Sequence, residues 1–151
     1  MDIKLNVQSV LTDPKTETQV VLLRADNNKE VLPIWVGVVE GSAIKFALDG
    51  VLPTRPMTHD LLKNILDHLG LRVQKVIITE IKNNTYYALV YVESHGRLLS
   101  IDARPSDAIA LALRTHVPLY VAEEVFKQRG GENLDAWLEK LEPKDSGEHT
   151  V

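Results

Sequence analysis

The 151-residue sequence predicts an α+β fold built from internally duplicated β-β-β-α units, with mostly antiparallel or mixed sheets packed on a buried apolar helix. Three observations lead to this prediction. Segments that alternate polar and apolar residues come in two groups of three, with turn signals between the segments. A helical pattern follows each group. The helix after the second group is apolar almost all round, so it needs cover on every side.

Composition and charge are those of one ordinary globular domain. Hydrophobic residues make up 44% of the chain and charged residues 25%, which excludes wholesale disorder. The absence of cysteine removes disulfides, cysteine–zinc sites and cysteine nucleophiles. The N-terminus lacks the apolar stretch of a signal peptide, and no run of about 18 apolar residues could span a membrane. We therefore expect a cytoplasmic protein that does not associate with membranes.

The distribution of charge limits how the chain could contact nucleic acid. Residues 1–121 carry 13 acidic and 13 basic side chains, whereas residues 122–151 carry 8 acidic and 4 basic ones, so the net charge of −4 belongs to the C-terminal segment. Nucleic-acid-binding proteins usually show a basic excess, because neutralising phosphates releases counterions. Any contact with DNA or RNA must therefore use a local cluster of basic groups.

Alternating and β-branched runs predict the strands of the first half. They are expected at residues 3–7, 18–25 and 30–36. Asn27 and Asn28 signal a tight turn, since Asn tolerates positive φ, and Pro33 indicates an edge strand or a bulge. A helical pattern then runs from 39 to 48 and ends at Gly50.

The second half repeats this order after an additional helix. That helix is predicted over residues 58–69, with Thr58 as its N-cap and Gly70 as its end. Three strands are expected at 73–81, 86–92 and 97–102, and a helix at 106–115. The segments 41–48 and 106–113 share four residues at a constant offset of 65. We interpret the halves as a degenerate duplication; coincidence between two Ala- and Leu-rich helices is the alternative.

The predicted domain organisation has a main body and a short C-terminal addition. The helix at 106–115 must be sandwiched between layers or covered by another subunit, because it has no polar face. The main body is assigned to residues 1–130 and an appended amphipathic helix to 131–142. Residues 143–151 are polar and are expected to form a disordered tail.

The loop at 101–107 is the best candidate for chemistry. It connects a strand to the apolar helix, so unpaired backbone N–H groups and the positive end of the helix dipole point at any ligand bound at the start of that helix. With Arg104 alongside, this is a sensible phosphate-binding site. In the structural alternative, Ser106 caps the helix, Asp107 favours its N-terminus by charge, and Arg114 reaches back to neutralise Asp107.

The second candidate is the start of the helix at 58–69. His59 beside Asp60 and near Arg55 could form a proton-transfer or metal-binding cluster, or simply a polar first turn. Glu40 occupies the corresponding entry to the helix of the first half. If a pseudo-twofold axis relates the halves, we expect Glu40 to lie near Arg104.

Three separated motifs, at residues 40–44, 55–61 and 102–112, make this sequence resemble the bifunctional nuclease (BFN) family over roughly residues 1–130. The resemblance implies an α+β fold, a homo-oligomer, and hydrolysis of phosphodiester bonds in DNA, RNA or both. It makes nucleic acid the expected partner and places the site in the polar residues of the three motifs.

We assign hypothetical roles to these residues on that basis. The predicted catalytic residues are Glu40, His59, Asp60 and Asp107, and those predicted to bind substrate phosphate are Arg55, Arg104 and Ser106. Glu40, Asp60 and Asp107 would hold a divalent cation or activate water. Oxygen ligands suit Mg²⁺ or Mn²⁺, and no organic cofactor is expected.

Two other classes of function stay open. In a non-catalytic oligomeric scaffold or a ligand-binding regulator, the same polar residues would be helix caps and interface ion pairs. An enzyme acting on small phosphate esters would need a pocket but no basic surface.

Overall fold

In the described residues of this computed structural model, 1–26 and 29–141, eight strands form one mixed sheet. The elements are β1 (Asp2–Thr12), β2 (Gln19–Ala25), β3 (Glu30–Val36), α1 (Val38–Leu48), α2 (Thr58–His68), β4 (Arg72–Lys82), β5 (Thr85–Ser94), β6 (Arg97–Ala103), α3 (Pro105–Thr115), β7 (Leu119–Ala122), α4 (Glu123–Arg129), β8 (Glu132–Asn133) and α5 (Leu134–Leu141). The predicted α+β class and all ten elements expected from the sequence pattern are confirmed. The predicted turn at 27–28 and the tail at 143–151 lie outside the described residues.

The strand order of the sheet is β6-β5-β4-β7-β1-β2-β3-β8. Two antiparallel meanders, β1-β2-β3 and β4-β5-β6, run outward from β7, which pairs antiparallel with β1 and parallel with β4. β1 and β4 therefore run in opposite directions, as a pseudo-twofold axis would require. The common origin of the two halves stays a prediction.

The tight turns explain why the strands of the second meander end where they do. Asn83 and Asn84 have φ of 51° and 62°, and His95 and Gly96 have φ of 51° and 79°. Two successive positive φ values make the kind of hairpin turn whose twist matches that of the flanking strands. Gly70 ends α2 with φ of 71°, as the sequence predicts for a glycine at that position.

The edge position expected for Pro33 is also confirmed. β3 pairs with β2 along its length, but β8 covers only Glu30 and Val31 on the other side. The outward edge of β3 at Pro33 has no strand partner among the described residues. A residue without an N–H group is therefore tolerated there.

The main hydrophobic core lies between one face of the sheet and helices α1, α2 and α3. α3 is its centre: Ile109 is fully buried and Leu111 is 3% exposed. Because α3 packs on α1, α2, β4 and β5, it is sandwiched between layers of its own chain, one of the two arrangements expected from the sequence. The first turns of α1 and α2 are thereby brought to the first turn of α3.

A smaller core on the other face of the sheet receives α5. Trp137 is 7% exposed and packs with Val20, Leu22 and Val31, and its ring centroid lies 6.0 Å from that of Trp35. The helix predicted in the segment 131–142 is thus present and docked on the sheet. The boundary at residue 130 stays a prediction. No helix within the described part of the chain is long and apolar enough to cross a membrane.

Candidate functional site

Four side chains from three helices form one hydrogen-bonded chain at the start of α3. Arg104 Nη1 donates to Glu40 Oε2 at 3.3 Å, so the predicted proximity of these two residues is confirmed. Arg104 Nε donates to Asp107 Oδ2 at 2.9 Å and Nη2 to Oδ1 at 3.3 Å. His59 Nε2 lies 2.9 Å from the same Oδ1. The order Glu40–Arg104–Asp107–His59 therefore links α1, α3 and α2.

The backbone around Arg104 explains its position. Arg104 is the N-cap of α3 with extended φ and ψ of −70° and 145°. Pro105 follows at the first helical position, where its missing N–H costs nothing, and it disfavours a helical conformation for the residue before it. The predicted capping role of Ser106 is therefore wrong. Ser106 lies inside the first turn and is 7% exposed.

Asp107 is held in its ionised form. Burial alone would raise the pKa of this carboxyl group, but hydrogen bonds from Arg104 and His59 and their charges bring it below the ordinary value. An ionised carboxylate can only accept hydrogen bonds, so Nε2 of His59 carries the proton that Asp107 accepts. In a neutral ring the lone pair is then on Nδ1, which has no hydrogen-bond partner among the described residues.

Arg104 keeps donors that its two carboxylate partners do not use. A guanidinium has five N–H donors, and three of them are engaged by Glu40 and Asp107. The side chain is 64% exposed, and the bond to Asp107 raises the pKa of the guanidinium. Arg104 is therefore a fixed cation with further N–H groups that face solvent, as phosphate binding requires.

Arg114 binds Asp60 and does not neutralise Asp107, which corrects the expectation from helix spacing. Its Nε donates to Asp60 Oδ1 at 2.8 Å. Its two Nη groups donate to the carbonyl oxygens of Ala110 at 3.0 Å and Ala43 at 3.1 Å. The side chain of Arg114 is only 7% exposed. It clamps α1 and α2 to α3 directly below the candidate site.

Both carboxylate oxygens of Asp60 accept hydrogen bonds, Oδ1 from Arg114 and Oδ2 from the backbone. Oδ2 accepts the N–H of Met57 at 2.9 Å, and Met57, not the predicted Thr58, is the N-cap of α2. Burial raises the pKa of Asp60, but the bonds from Met57 and Arg114 outweigh it and the pKa lies below the ordinary value. The geometry gives Asp60 a structural position.

The remaining predicted residues separate into two groups. Glu40, Arg104 and Ser106 line a groove of about 340 Å³ together with Trp35 and Tyr86, which the sequence pattern did not single out. Arg55 is exposed in the loop before α2 and has no hydrogen bond or ion pair with these groups among the described residues.

A second groove, of about 380 Å³, opens on the other side of the Arg104–Asp107 pair. His59 and Asp107 line it, and most of the other lining residues are apolar, including Leu62, Ile101 and Leu111. Since Arg104 lines the first groove and Asp107 the second, the two grooves meet at this ion pair.

The three carboxylates predicted to bind a metal do not fit that role in this arrangement. Within residues 1–26 and 29–141, no group of three or more His, Asp or Glu side chains could hold a metal ion. Arg104 binds Glu40 and Asp107, and Arg114 binds Asp60. A requirement for Mg²⁺ or Mn²⁺ stays a prediction that these contacts do not support.

The pKa values of Asp60 and Asp107 determine how stability should depend on pH. Both lie below the ordinary value of 3.8 in the folded protein, so folding favours the ionised forms. Their contribution to the free energy of unfolding is complete above about pH 5 and is lost as the pH falls through the folded pKa values.

Asp60→Asn is therefore expected to lower the free energy of unfolding at pH 7 by about 1–2 kcal/mol, because a charge-assisted bond to Arg114 is lost. It should also flatten the decline in stability below about pH 5. Urea unfolding at a series of pH values measures both effects. Asp67→Asn, at an exposed pair with Lys63, is the control and should leave the decline unchanged. An Asp60→Asn variant that loses stability in acid as steeply as the wild type would contradict the assignment.

Comparison with known proteins gives one family and several relatives. A family model described as the bifunctional nuclease domain matches residues 21–133. An uncharacterized protein of Mycobacterium tuberculosis is 38% identical over 127 residues, which cover 84% of this chain and 76% of that protein. Bifunctional nuclease 1 of Oryza sativa subsp. japonica is 30% identical over 123 residues, covering 80% of this chain and 37% of that protein. Bifunctional nuclease 2 of Arabidopsis thaliana is 30% identical over 132 residues, which cover 85% of this chain and 40% of that protein. The chain thus spans less than half the length of these plant relatives.

Proposed function

The chain belongs to the bifunctional nuclease domain family, and we propose that it is a nuclease that hydrolyses phosphodiester bonds in DNA, RNA or both where Arg104, Asp107 and His59 meet. The observation that supports this most is the hydrogen-bonded chain Glu40–Arg104–Asp107–His59, which holds a cation and an acid–base group side by side between two grooves.

Each residue has a role that its contacts suggest. The remaining N–H groups of Arg104 bind the non-bridging oxygens of the phosphate and stabilise the charge that develops on them. Glu40 and Asp107 fix the plane of that guanidinium. His59 accepts a proton on Nδ1 from the attacking water as the new P–O bond forms, while the P–O bond to the leaving oxygen breaks and a solvent water protonates that oxygen. Asp107 orients the ring and stabilises the imidazolium, which then returns its proton to solvent. The positive ends of the helix dipoles at α1, α2 and α3 add to the attraction for phosphate.

A divalent cation has no step in this mechanism. Mg²⁺ or Mn²⁺ dependence is a separate prediction, which follows from the family resemblance alone. Addition of EDTA to the assays below tests it without affecting the assignment of Arg104 and His59.

The exposed face of α2 favours a second property, assembly with other copies of the chain. None of the residues of α2 is buried, and its apolar side chains Leu61 and Ile65, with Leu69 directly after it, are between 46% and 63% exposed. A patch of this kind is typical of a protein interface. We propose a homo-oligomer on this basis, and sedimentation analysis tests it. Assembly is compatible with hydrolysis or with the scaffold alternative.

Replacing Arg104 with alanine tests the nuclease assignment. We expect kcat/KM for cleavage of labelled single-stranded RNA and DNA to fall about 100-fold, because a charged donor to the reacting phosphate is lost. Lys127→Ala, an exposed cation on α4, is the matched control and should behave as the wild type. Equal cleavage by the wild type and Arg104→Ala would indicate a contaminating nuclease and favour the scaffold.

A further inference from the structure

A third groove of a different character, the basic groove, lies at the opposite end of β6 from Arg104. Its volume is about 610 Å³, and its lining includes Arg72, Lys75, Glu93, Arg97 and Tyr120. Side chains alternate along a strand. Val76 beside Lys75, and Leu119 and Val121 on either side of Tyr120, belong to the main core. Lys75 and Tyr120 therefore lie on the sheet face that α1, α2 and α3 do not cover.

The cations of this groove are available for a ligand. Arg72, Lys75 and Arg97 form no ion pair among the described residues. The one carboxylate in the lining, Glu93, instead accepts a hydrogen bond from Gln74 at 3.3 Å. Three cations against one carboxylate make a local positive charge in a chain whose first 121 residues are neutral in total. This is a local basic cluster of the kind that contact with nucleic acid requires here.

Aromatic rings accompany these cations. Lys75 Nζ lies 5.1 Å from the ring centroid of Tyr91, and Tyr120 lines the groove on the neighbouring strand β7. Lys4, opposite Tyr120 in the register of β1 and β7, extends the row of cations. Tyrosine rings between basic groups are typical of surfaces that bind single strands, since each unpaired base has a face that stacks on a ring.

We propose that this groove binds single-stranded nucleic acid, with backbone phosphates on Arg72, Lys75 and Arg97 and an unpaired base against Tyr120. It anchors the polymer at a place distinct from the Arg104–Asp107 pair. The choice of nucleic acid as the polyanion rests on the proposed function, whereas the groove and its charge do not.

Strand β6 connects the basic groove to the Arg104–Asp107 pair. Arg97 begins this strand at the groove, and Ala103 ends it directly before Arg104. Six residue steps of a strand span about 20 Å. A single strand that follows the edge of the sheet therefore reaches from the basic groove to the site of hydrolysis.

Fluorescence anisotropy with labelled oligo(U) and oligo(dT) tests the proposal. The full chain carrying His59→Ala serves as the reference, so that hydrolysis does not interfere. Adding Lys75→Ala and Arg97→Ala is expected to weaken binding at least tenfold at low salt. The slope of log affinity against log salt should become shallower by about 1.4, or 0.7 for each phosphate that is no longer neutralised. Lys127→Ala should change neither quantity, and Lys75→Arg, which keeps the charge, should retain binding.

Two further measurements separate this proposal from the proposed function. Hydrolysis of bis(p-nitrophenyl) phosphate, which has no polymer to anchor, should be the same in wild type and in Lys75→Ala/Arg97→Ala. If the wild type did not hydrolyse bis(p-nitrophenyl) phosphate, the nuclease mechanism would be refuted. The anisotropy measurement would still test the binding groove independently. Unchanged affinity and salt slope in the double variant would overturn the anchoring site. Equal affinity for a blunt duplex would overturn its preference for single strands.

Discussion

Arg114→Met is expected to lower the free energy of unfolding by about 3 kcal/mol. The variant keeps an apolar chain of similar length but loses every donor of the guanidinium. Asp60 then keeps a charge that is 26% exposed and is deprived of its partner, and the carbonyl oxygens of Ala43 and Ala110 are deprived of theirs. The cost is at the lower end of the range for a broken buried pair, because water still reaches part of the Asp60 carboxylate.

Urea unfolding followed by far-UV circular dichroism measures this change. Lys63→Met is the matched control, since Lys63 pairs with Asp67 on the exposed surface of α2 and such pairs contribute at most about 0.5 kcal/mol. The combination of Asp60→Asn with Arg114→Met should cost less than the sum of the single changes, because both remove the same interaction. A loss below about 1 kcal/mol in Arg114→Met would show that the clamp does not hold the helices together.

Local patterns in the sequence were sufficient to predict most of the helices and strands. Alternation, Asn and Gly turn signals and the helical spacing of Leu61, Ile65 and Leu69 each extend over a few residues, so they predict an element without reference to its distant partners. The missed elements are short. They are β7 with four residues, β8 with two and α4 with seven, too few for a period to show. The strand character of β7 and β8 comes from pairing with β1, β4 and β3.

The candidate site shows where such reasoning succeeds and where it fails. The proximity of Glu40 to Arg104 was predicted from the repeated order of elements, because related halves place corresponding helix entries together. The partner of Arg114 was predicted wrongly. Spacing along α3 offers Asp107 on the same face, whereas the actual partner, Asp60, lies on α2. Only the packing of α2 against α3 decides between them.

The pairing of charges explains how a chain neutral over its first 121 residues could serve a polyanionic substrate. Three carboxylates near the site are bound by guanidinium groups: Glu40 and Asp107 by Arg104, and Asp60 by Arg114. The negative charge at the site is thus partly compensated. The cations of the basic groove lie together elsewhere and form no ion pair within the part of the chain that the structure describes. Local placement, and not the total charge, then determines where phosphate is attracted.

His59→Ala is expected to lower kcat/KM for cleavage of single-stranded nucleic acid by a factor of about 10² to 10⁴, the usual contribution of a general base. KM should change little, since Arg104 and the basic groove remain to bind phosphate.

The control for this prediction is His68→Ala on the same helix. His68 is exposed and bonds through Nδ1 to the carbonyl oxygen of Asn64 at 2.9 Å, so its loss should leave activity and its pH profile unchanged. Free imidazole added to His59→Ala should restore part of the activity, because the space left beside Asp107 opens on a groove. Asp107→Asn should lower kcat as well, since an amide cannot stabilise the imidazolium. If His59→Ala kept wild-type activity, His59 would not be the group that accepts the proton of the attacking water.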